Sequence, residues 1–188
     1  PSLVGSEMCI RDSLDACGAQ RIPWPTPLLP TLRSTLDEHA DRRRCVLASG
    51  DPMFHGIGTT LARLVGAEAL RVFPHPSSVS LACARLGWSL PDVEVVSLVA
   101  RDPATVLPAL HPSARLIVLA ENDTTPTAVA TLLRENGFGD ARMTVLELLG
   151  GPPERVRSTT AGDWRADDVD PLNVIAVEVP VTLSLIHI

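Results

Sequence analysis

Residues 45–64 read CVLASGDPMFHGIGTTLARL. A short apolar run ends in Ser49-Gly50-Asp51-Pro52, two further glycines follow at 56 and 58, and a helical repeat then starts with Leu61, Leu64 and Val65 on one face. This order predicts a strand that empties into a glycine-rich loop and then a helix. The loop carries one acid and no evident nucleophile.

The same rhythm continues outward. RCVLAS (44–49), LRVFP (70–74), DVEVVSL (92–98), RLIVLAE (115–121), RMTVLELL (142–149) and LNVIAVEVP (172–180) read as strands. IGTTLARLVG (57–66), SSVSLACARLG (77–87), PATVLPAL (103–110) and the stretch opened by Thr125-Pro126 and closed by Gly137 read as helices. Strands apolar on both faces, alternating with helices of about ten residues, predict an α/β fold with mostly parallel sheets covered by helices. Ligands on such sheets bind beyond the carboxyl ends of the strands. The Ser49–Gly58 loop, Ser77-Ser78 and the run from Ala120 to Asp123 stand at three such ends. IPWPTPLLP (22–30) reads as an ordered extended connection, and HPS (111–113) as the boundary between two lobes.

Both ends of the chain read differently. Met8 to Ser13 back-translates to ATGTGTATAAGAGACAG, and Leu183 to Ile188 to CTGTCTCTTATACACATC, its reverse complement read from the other side. These strings resemble the transposon end used to prepare sequencing libraries. Residues 1–13 and 183–188 are therefore expected to be non-native, with 14–112 forming a first lobe, truncated, and 113–182 a second.

The full chain of 188 residues carries 16 basic and 22 acidic side chains, a net charge of −6; setting aside Glu7, Arg11 and Asp12 leaves 15 and 20. A mildly acidic chain with no basic stripe argues against nucleic acid as partner. No apolar run is long enough to span a bilayer, which argues against a membrane partner. Cys17, Cys45 and Cys83 are far apart with no CxxC spacing, which points to a reducing compartment such as the cytoplasm. Cys45 and Cys83 lie in apolar runs, where cysteine packs as a small hydrophobe.

Glycines at 50, 56 and 58 permit close approach of the backbone to a ligand, and a helix start offers free N–H groups. Such sites often take phosphate, but a phosphate cradle usually adds a lysine, and this loop has none. Asp51 repels phosphate and suits a neutral or cationic ligand bearing hydroxyls, such as a nucleoside carrying a sulfonium. The alternative reading of SGDP is a tight turn closed by an Asx bond. His39, His55, His75 and His111 show no metal-ligand spacing, and no metal is expected. His55 and His75 read as loop residues or as acids and bases. Asp123 follows a strand and equally suits a helix cap. With no nucleophile in a reactive context, no catalytic residue is assigned. Catalysis by positioning is the expectation.

LASGDPMFHGIG followed by PHPSSVSLACARLGW resembles the tetrapyrrole methylase family. WPTPLLP, VLELLGGPPERVRSTTA (145–161) and LNVIAVEV (172–179) resemble its subgroup that methylates a precorrin at C-5 during cobalamin synthesis. The resemblance covers nearly all of residues 14–180. It implies a two-lobed tetrapyrrole-methylase-like fold with S-adenosyl-L-methionine, the methyl-donor co-substrate, held folded between the lobes. Ser49, Gly50 and Asp51 match the family's cofactor loop, and Phe54 a position that packs on the cofactor. Ser77 and Ser78 match a Thr-Ala pair that contacts it. Ala120 falls where relatives carry a methionine, and Leu149 or Gly150 where the second lobe closes on adenine or ribose. The family opens with a strand and a glycine-rich loop facing the tetrapyrrole; here residues 1–13 replace it, so the first lobe is expected to be incomplete and the fragment inactive. Expected partners are a precorrin substrate, a decarboxylating methyltransferase domain fused or separate, and a second copy in a homodimer. A methylase of the same fold with another substrate, and a non-catalytic nucleotide-binding module, remain open.

Overall fold

The structure, a computed structural model, describes residues 2–4, 20–23, 28–48 and 50–181. Two compact units divide the chain between Ser77 and Ser78.

The first unit holds a three-stranded sheet in the order β2-β1-β3, formed by β1 (Ser2–Val4), β2 (Gln20–Ile22) and β3 (Arg44–Val46), all parallel. Ser2–Val4 lies inside the stretch expected to be foreign and is nonetheless the central strand; residues 5–13 and 183–188 lie outside the described residues. Helices α1 (Leu28–Asp37) and α2 (Ile57–Val65) supply Leu32, Leu36 and Leu61, the buried core of this unit. Leu32 and Leu36 are four apart and share one helix face, which is why a proline-bearing stretch forms a helix here. Pro30 stands in its first turn, where a missing N–H costs nothing. The sequence reading made residues 22–30 an extended connection and missed this helix. Residues 70–74 form no strand: Val72 and Phe73 are exposed, and no strand among the described residues pairs with them.

The second unit is built on a five-stranded sheet in the order β4-β5-β8-β6-β7. Its strands are β4 (Glu94–Ser97), β5 (Arg115–Leu119), β6 (Arg142–Glu147), β7 (Arg155–Thr160) and β8 (Asn173–Glu178). The sheet is mixed. Only β4 and β5 are parallel; β8 runs antiparallel to both β5 and β6, and β7 antiparallel to β6. The expectation of mostly parallel sheets thus holds for the first unit and not for the second. A strand inserted antiparallel between two covered neighbours is as apolar on both faces as a parallel one, so burial pattern alone does not reveal direction. The expected lobe boundary at 111–113 falls between β4 and β5, which pair with each other in one sheet.

Period-two alternation sorts the core into two layers. Leu116, Val118, Met143, Val145, Ile175 and Val177 face one side with Val129, Ala130 and Leu133 of helix α4 (Thr125–Glu135). Ile117, Leu146, Val174 and Ala176 face the other, under Val79, Ala82 and Cys83 of helix α3 (Ser78–Leu86). The short helix expected at 103–110, broken by Pro108, is a 3-10 helix over Pro103–Ala109 that runs through Pro108. Pro108 has no N–H to donate, and its ring opposes a continued α-helical ladder.

Candidate functional site

In the first unit β3 leads into the glycine loop. Gly50 adopts a left-handed φ of 60°. Asp51 Oδ1 accepts a hydrogen bond from the Met53 N–H (2.9 Å), and the Asp51 carbonyl accepts one from the Phe54 N–H (3.1 Å). The Asx bond offered by one sequence reading is therefore present, and it fixes the carboxylate against the loop's own backbone. The Gly58 N–H donates to the Pro52 carbonyl at 2.8 Å. A Cβ at Gly56 or Gly58 would lie 2.7 or 2.5 Å from the Pro52 oxygen, so those glycines serve the loop's own closure. Met53, Phe54 and His55 stay exposed, with the Phe54 and His55 rings edge to face at 4.8 Å. Ser49 lies outside the described residues. Ser77 is the last residue of the first unit.

In the second unit β4, β5 and β6 run in the same direction, so their carboxyl ends share one edge of the sheet. Ser97 pairs with Leu119, Leu119 with Val174, and Val174 with Leu146. Ala120 follows at the exit of β5. Leu148, Leu149 and Gly150 follow at the exit of β6, with left-handed φ values of 53° at Leu148 and 83° at Gly150. Helix α3 runs back across the sheet. Trp88, just past its end, lies under Arg115 at the start of β5 (5.4 Å from guanidinium to ring), whereas Leu81, near its start, would contact a Cβ on Gly150 at 3.2 Å. Helix α3 thus passes the Gly150 turn at Leu81; Leu149 packs with the core under α3, and Ala120 with the core on the opposite, α4 side of the sheet. Of the residues singled out in the sequence, Ala120, Leu149 and Gly150 follow strand ends at one edge of the second sheet, Ser78 opens helix α3, and Gly50, Asp51 and Phe54 share one loop of the first unit.

Thr124, not Asp123, is the N-cap of helix α4, without a side-chain cap bond, and Asn122 closes a turn just ahead of it. Asn122 Oδ1 accepts from the Thr124 N–H at 3.0 Å, and Thr125 Oγ1 accepts from the N–H groups of Glu121 and Asn122. Asn173 Nδ2 donates to the Asn122 carbonyl (3.1 Å) and the Asp170 carbonyl (2.9 Å), tying the exit of β5 to the segment before β8.

Sequence reading missed the charged groups that support this edge. Glu147, the last residue of β6, is fully buried. Its carboxylate accepts from Arg155 Nη2 (2.7 Å) and Nε (2.8 Å), from Arg157 Nη2 (3.2 Å) and from the Asp170 N–H (2.7 Å). Both arginines also reach Asp168. Burial pushes the Glu147 carboxyl upward, but Arg155, the Asp170 N–H and Arg157 outweigh it and hold it below its ordinary range. The Arg155 guanidinium is raised, chiefly by its bond to Glu147. The signal available in the sequence was Arg155-Val156-Arg157: alternate residues share a strand face, but β7 was not foreseen because its alternation carries charge where apolar residues were sought. Glu154 accepts from Arg85 and from the Gly150 N–H, which lowers its pKa. Cys83 is buried, and burial raises its thiol pKa; Cys45, expected to pack as a hydrophobe, is exposed.

The chain is thus a two-unit α/β protein with a glycine loop after one strand of the first sheet and loops following β5 and β6 at one edge of the second. The profile of the Tetrapyrrole (Corrin/Porphyrin) Methylases matches residues 31–164, and the chain belongs to that family. It is 51% identical over 166 residues to a Mycobacterium tuberculosis protein named precorrin-6Y C(5,15)-methyltransferase (decarboxylating), covering 87% of this chain and 41% of that one. It is 33% identical over 136 residues to the cobalt-precorrin-7 C(5)-methyltransferase of Salmonella typhimurium, covering 72% and 67%. The chain thus spans about two fifths of the length of the first of these relatives. Among solved structures it resembles the precorrin-6Y methylase of Archaeoglobus fulgidus (TM-score 0.67, 24% identity, 96% of this chain and 85% of that one). It also resembles a Thermus thermophilus uroporphyrin-III C-methyltransferase complexed with S-adenosylhomocysteine (TM-score 0.71, 19% identity, 94% and 84%). At these identities the structural likeness speaks for the fold.

Proposed function

We infer that this chain is the C-5-methylating part of a precorrin methyltransferase of cobalamin biosynthesis, using S-adenosyl-L-methionine as methyl donor. The single observation that carries the reading is that the chain is 51% identical over 166 residues to a protein named precorrin-6Y C(5,15)-methyltransferase, with Ala120, Leu149 and Gly150 following strand ends at one sheet edge. The donor set fits such a co-substrate: Ser78, Ala120, Leu149 and Gly150 offer backbone, hydroxyl and apolar surface with no cation for a phosphate. Asp51 supplies a negative charge beside the loop's own main chain. Gly50, Asp51, Phe54 and Ser77 in the first unit, with Ser49 by sequence, are the other residues assigned to it.

The bound co-substrate would supply a methyl group already activated on a sulfonium. The protein's own task is then to bind and orient that group; within the first unit, the Asp51 carboxylate suits a positively charged ligand. Correct alignment is worth up to roughly 7–11 kcal/mol of barrier. No residue is required as a nucleophile.

C-15 methylation and decarboxylation are placed outside this chain, on a domain fused to it or encoded apart. A homodimer and a cytoplasmic location complete the reading; no described helix is long and apolar enough to cross a membrane. Calorimetry with S-adenosylhomocysteine on the chain tests it: micromolar binding is expected, and no binding at high micromolar concentration would overturn it. Sedimentation velocity tests the dimer, and a monomer at tens of micromolar would overturn that part.

A further inference from the structure

The loop after β6 carries two residues assigned to the co-substrate, Leu149 and Gly150, and it is held by a side chain at its far end, Glu154, that takes no part in that assignment and is itself tied to helix α3. Glu154 Oε2 accepts from the Gly150 N–H (2.8 Å) and from Arg85 Nη2 (3.0 Å), while its Oε1 accepts from Arg85 Nε. Arg85 belongs to helix α3, whose first residue is Ser78. The two partners lie 69 residues apart, so the contact is tertiary and joins two elements that both reach the site edge.

The backbone there needs such a hold. Leu148 and Gly150 both occupy left-handed conformations, and the side-chain ligature comes on top of the Gly151 N–H bond to the Leu148 carbonyl (3.1 Å). Glu154 is the more sheltered partner, with its side chain 17% exposed against 44% for Arg85. A paired carboxylate accepting a backbone N–H and a forked guanidinium is among the stronger polar contacts.

The geometry points to Glu154, with Arg85, as a positioning pair that sets the Leu148–Gly151 turn against helix α3 for nucleoside binding. This rests on the proposed function. The pair does not touch the ligand; it acts by locking one conformer of the turn before binding, so that less ordering remains to be done when the ligand arrives. The pair therefore governs affinity while global stability, set by the sheet, stays nearly constant.

The chemistry of the contact gives a discriminating set of variants. Glu154→Ala removes the acceptor for the Gly150 N–H. Glu154→Gln keeps an oxygen for it. The exchange Arg85→Glu with Glu154→Arg restores an ion pair but places a pure donor beside the Gly150 N–H. The measurement is S-adenosylhomocysteine affinity by calorimetry on the whole chain, with Tm beside it. Glu154→Ala is expected to bind about tenfold more weakly with Tm within a few degrees of wild type. Glu154→Gln is expected to stay within about threefold, and the exchanged pair to remain weak. Wild-type affinity in Glu154→Ala, or recovery in the exchanged pair, would overturn the positioning role while leaving the functional reading intact. Affinity that falls only in proportion to Tm would reduce the pair to a structural staple and overturn it equally. Absence of binding by the wild-type chain would instead remove the functional reading, and the positioning role with it.

Discussion

The two units use different amounts of structure to hold a loop in place. The first has three strands of three residues each and a buried core of Leu32, Leu36 and Leu61. The second has a five-stranded sheet with its central strand β8 buried from Asn173 to Val177, and a helix on each face. In the first, the Asp51 loop is shaped by local bonds: an Asx turn and two glycines closing on the Pro52 carbonyl. In the second, the Leu148–Gly150 turn has a local tie, from the Gly150 N–H to Glu154 four residues on, and tertiary ties from Arg85 to Glu154 and from the Leu148 N–H to the Leu172 carbonyl. The lesson is that a small unit can present a well-defined loop if the sequence closes it locally, whereas the larger unit adds distant partners that its sheet holds in place.

The contrast can be broken first at the cores. Ile175→Ala in β8 should destabilise the second unit by about 2–5 kcal/mol, because a fully buried side chain leaves a cavity among strands that cannot collapse. Leu61→Ala should leave the second unit's unfolding transition unchanged and speed amide exchange only in the first. Calorimetric unfolding with residue-resolved exchange reads both, and a shared loss of protection would show the units to be one cooperative body.

Next in size is the buried carboxylate. Glu147→Ala strands Arg155 and Arg157 and frees the Asp170 N–H, with an expected cost of about 3 kcal/mol in denaturant unfolding. Its pH counterpart has a definite sign. The Glu147, Glu154 and Asp168 carboxyls are held below their ordinary values in the folded protein. Their contribution is complete above the unfolded carboxylate range and is lost as pH falls through the lower folded values. A stability profile from pH 7 to 3 should fall at the acid end and flatten in Glu147→Ala; equal slopes would contradict the assignment.

A smaller effect is expected in the first-unit loop. The Cβ of Gly58→Ala would meet a backbone oxygen at 2.5 Å and Met53 Sδ at 2.9 Å. Overpacking of about 1–3 kcal/mol exceeds the roughly 1 kcal/mol that alanine gains in a helix. Faster exchange of the Phe54 and Gly58 amides is the readout, and unchanged exchange would show that the loop yields freely. Smallest of all, Ser113→Gly relieves a left-handed φ of 67° on an exposed residue and should raise stability by up to about 1 kcal/mol. A drop in Tm would show that the serine side chain contributes something its conformation does not suggest.

Much of this was legible in the sequence where a feature is local. The strand at 115–119, the helix opened by Thr125-Pro126 and the glycine loop after β3 are each specified by neighbours a few residues away. Strand direction in the second sheet was not legible, because β5 and β8 are apolar on both faces whichever way they run. The boundary at Ser77 was hidden too: His111-Pro112-Ser113 looks like a break but is a turn between paired strands. Among the residues assigned to the co-substrate, Asp51 could be singled out by pattern, and Leu149 or Gly150 only by the family resemblance. Glu147 and Glu154 could not, since their partners Arg155, Asp170 and Arg85 are assembled by the fold.

The buried sulfur of Cys83 gives helix α3 a built-in clock. It sits at 2% exposure against the sheet, and burial keeps it in the unreactive thiol form. An alkylating reagent can reach it only when the helix lifts, so its slow modification, set beside the prompt reaction of exposed Cys45, times the opening of the element that carries Ser78 and Arg85.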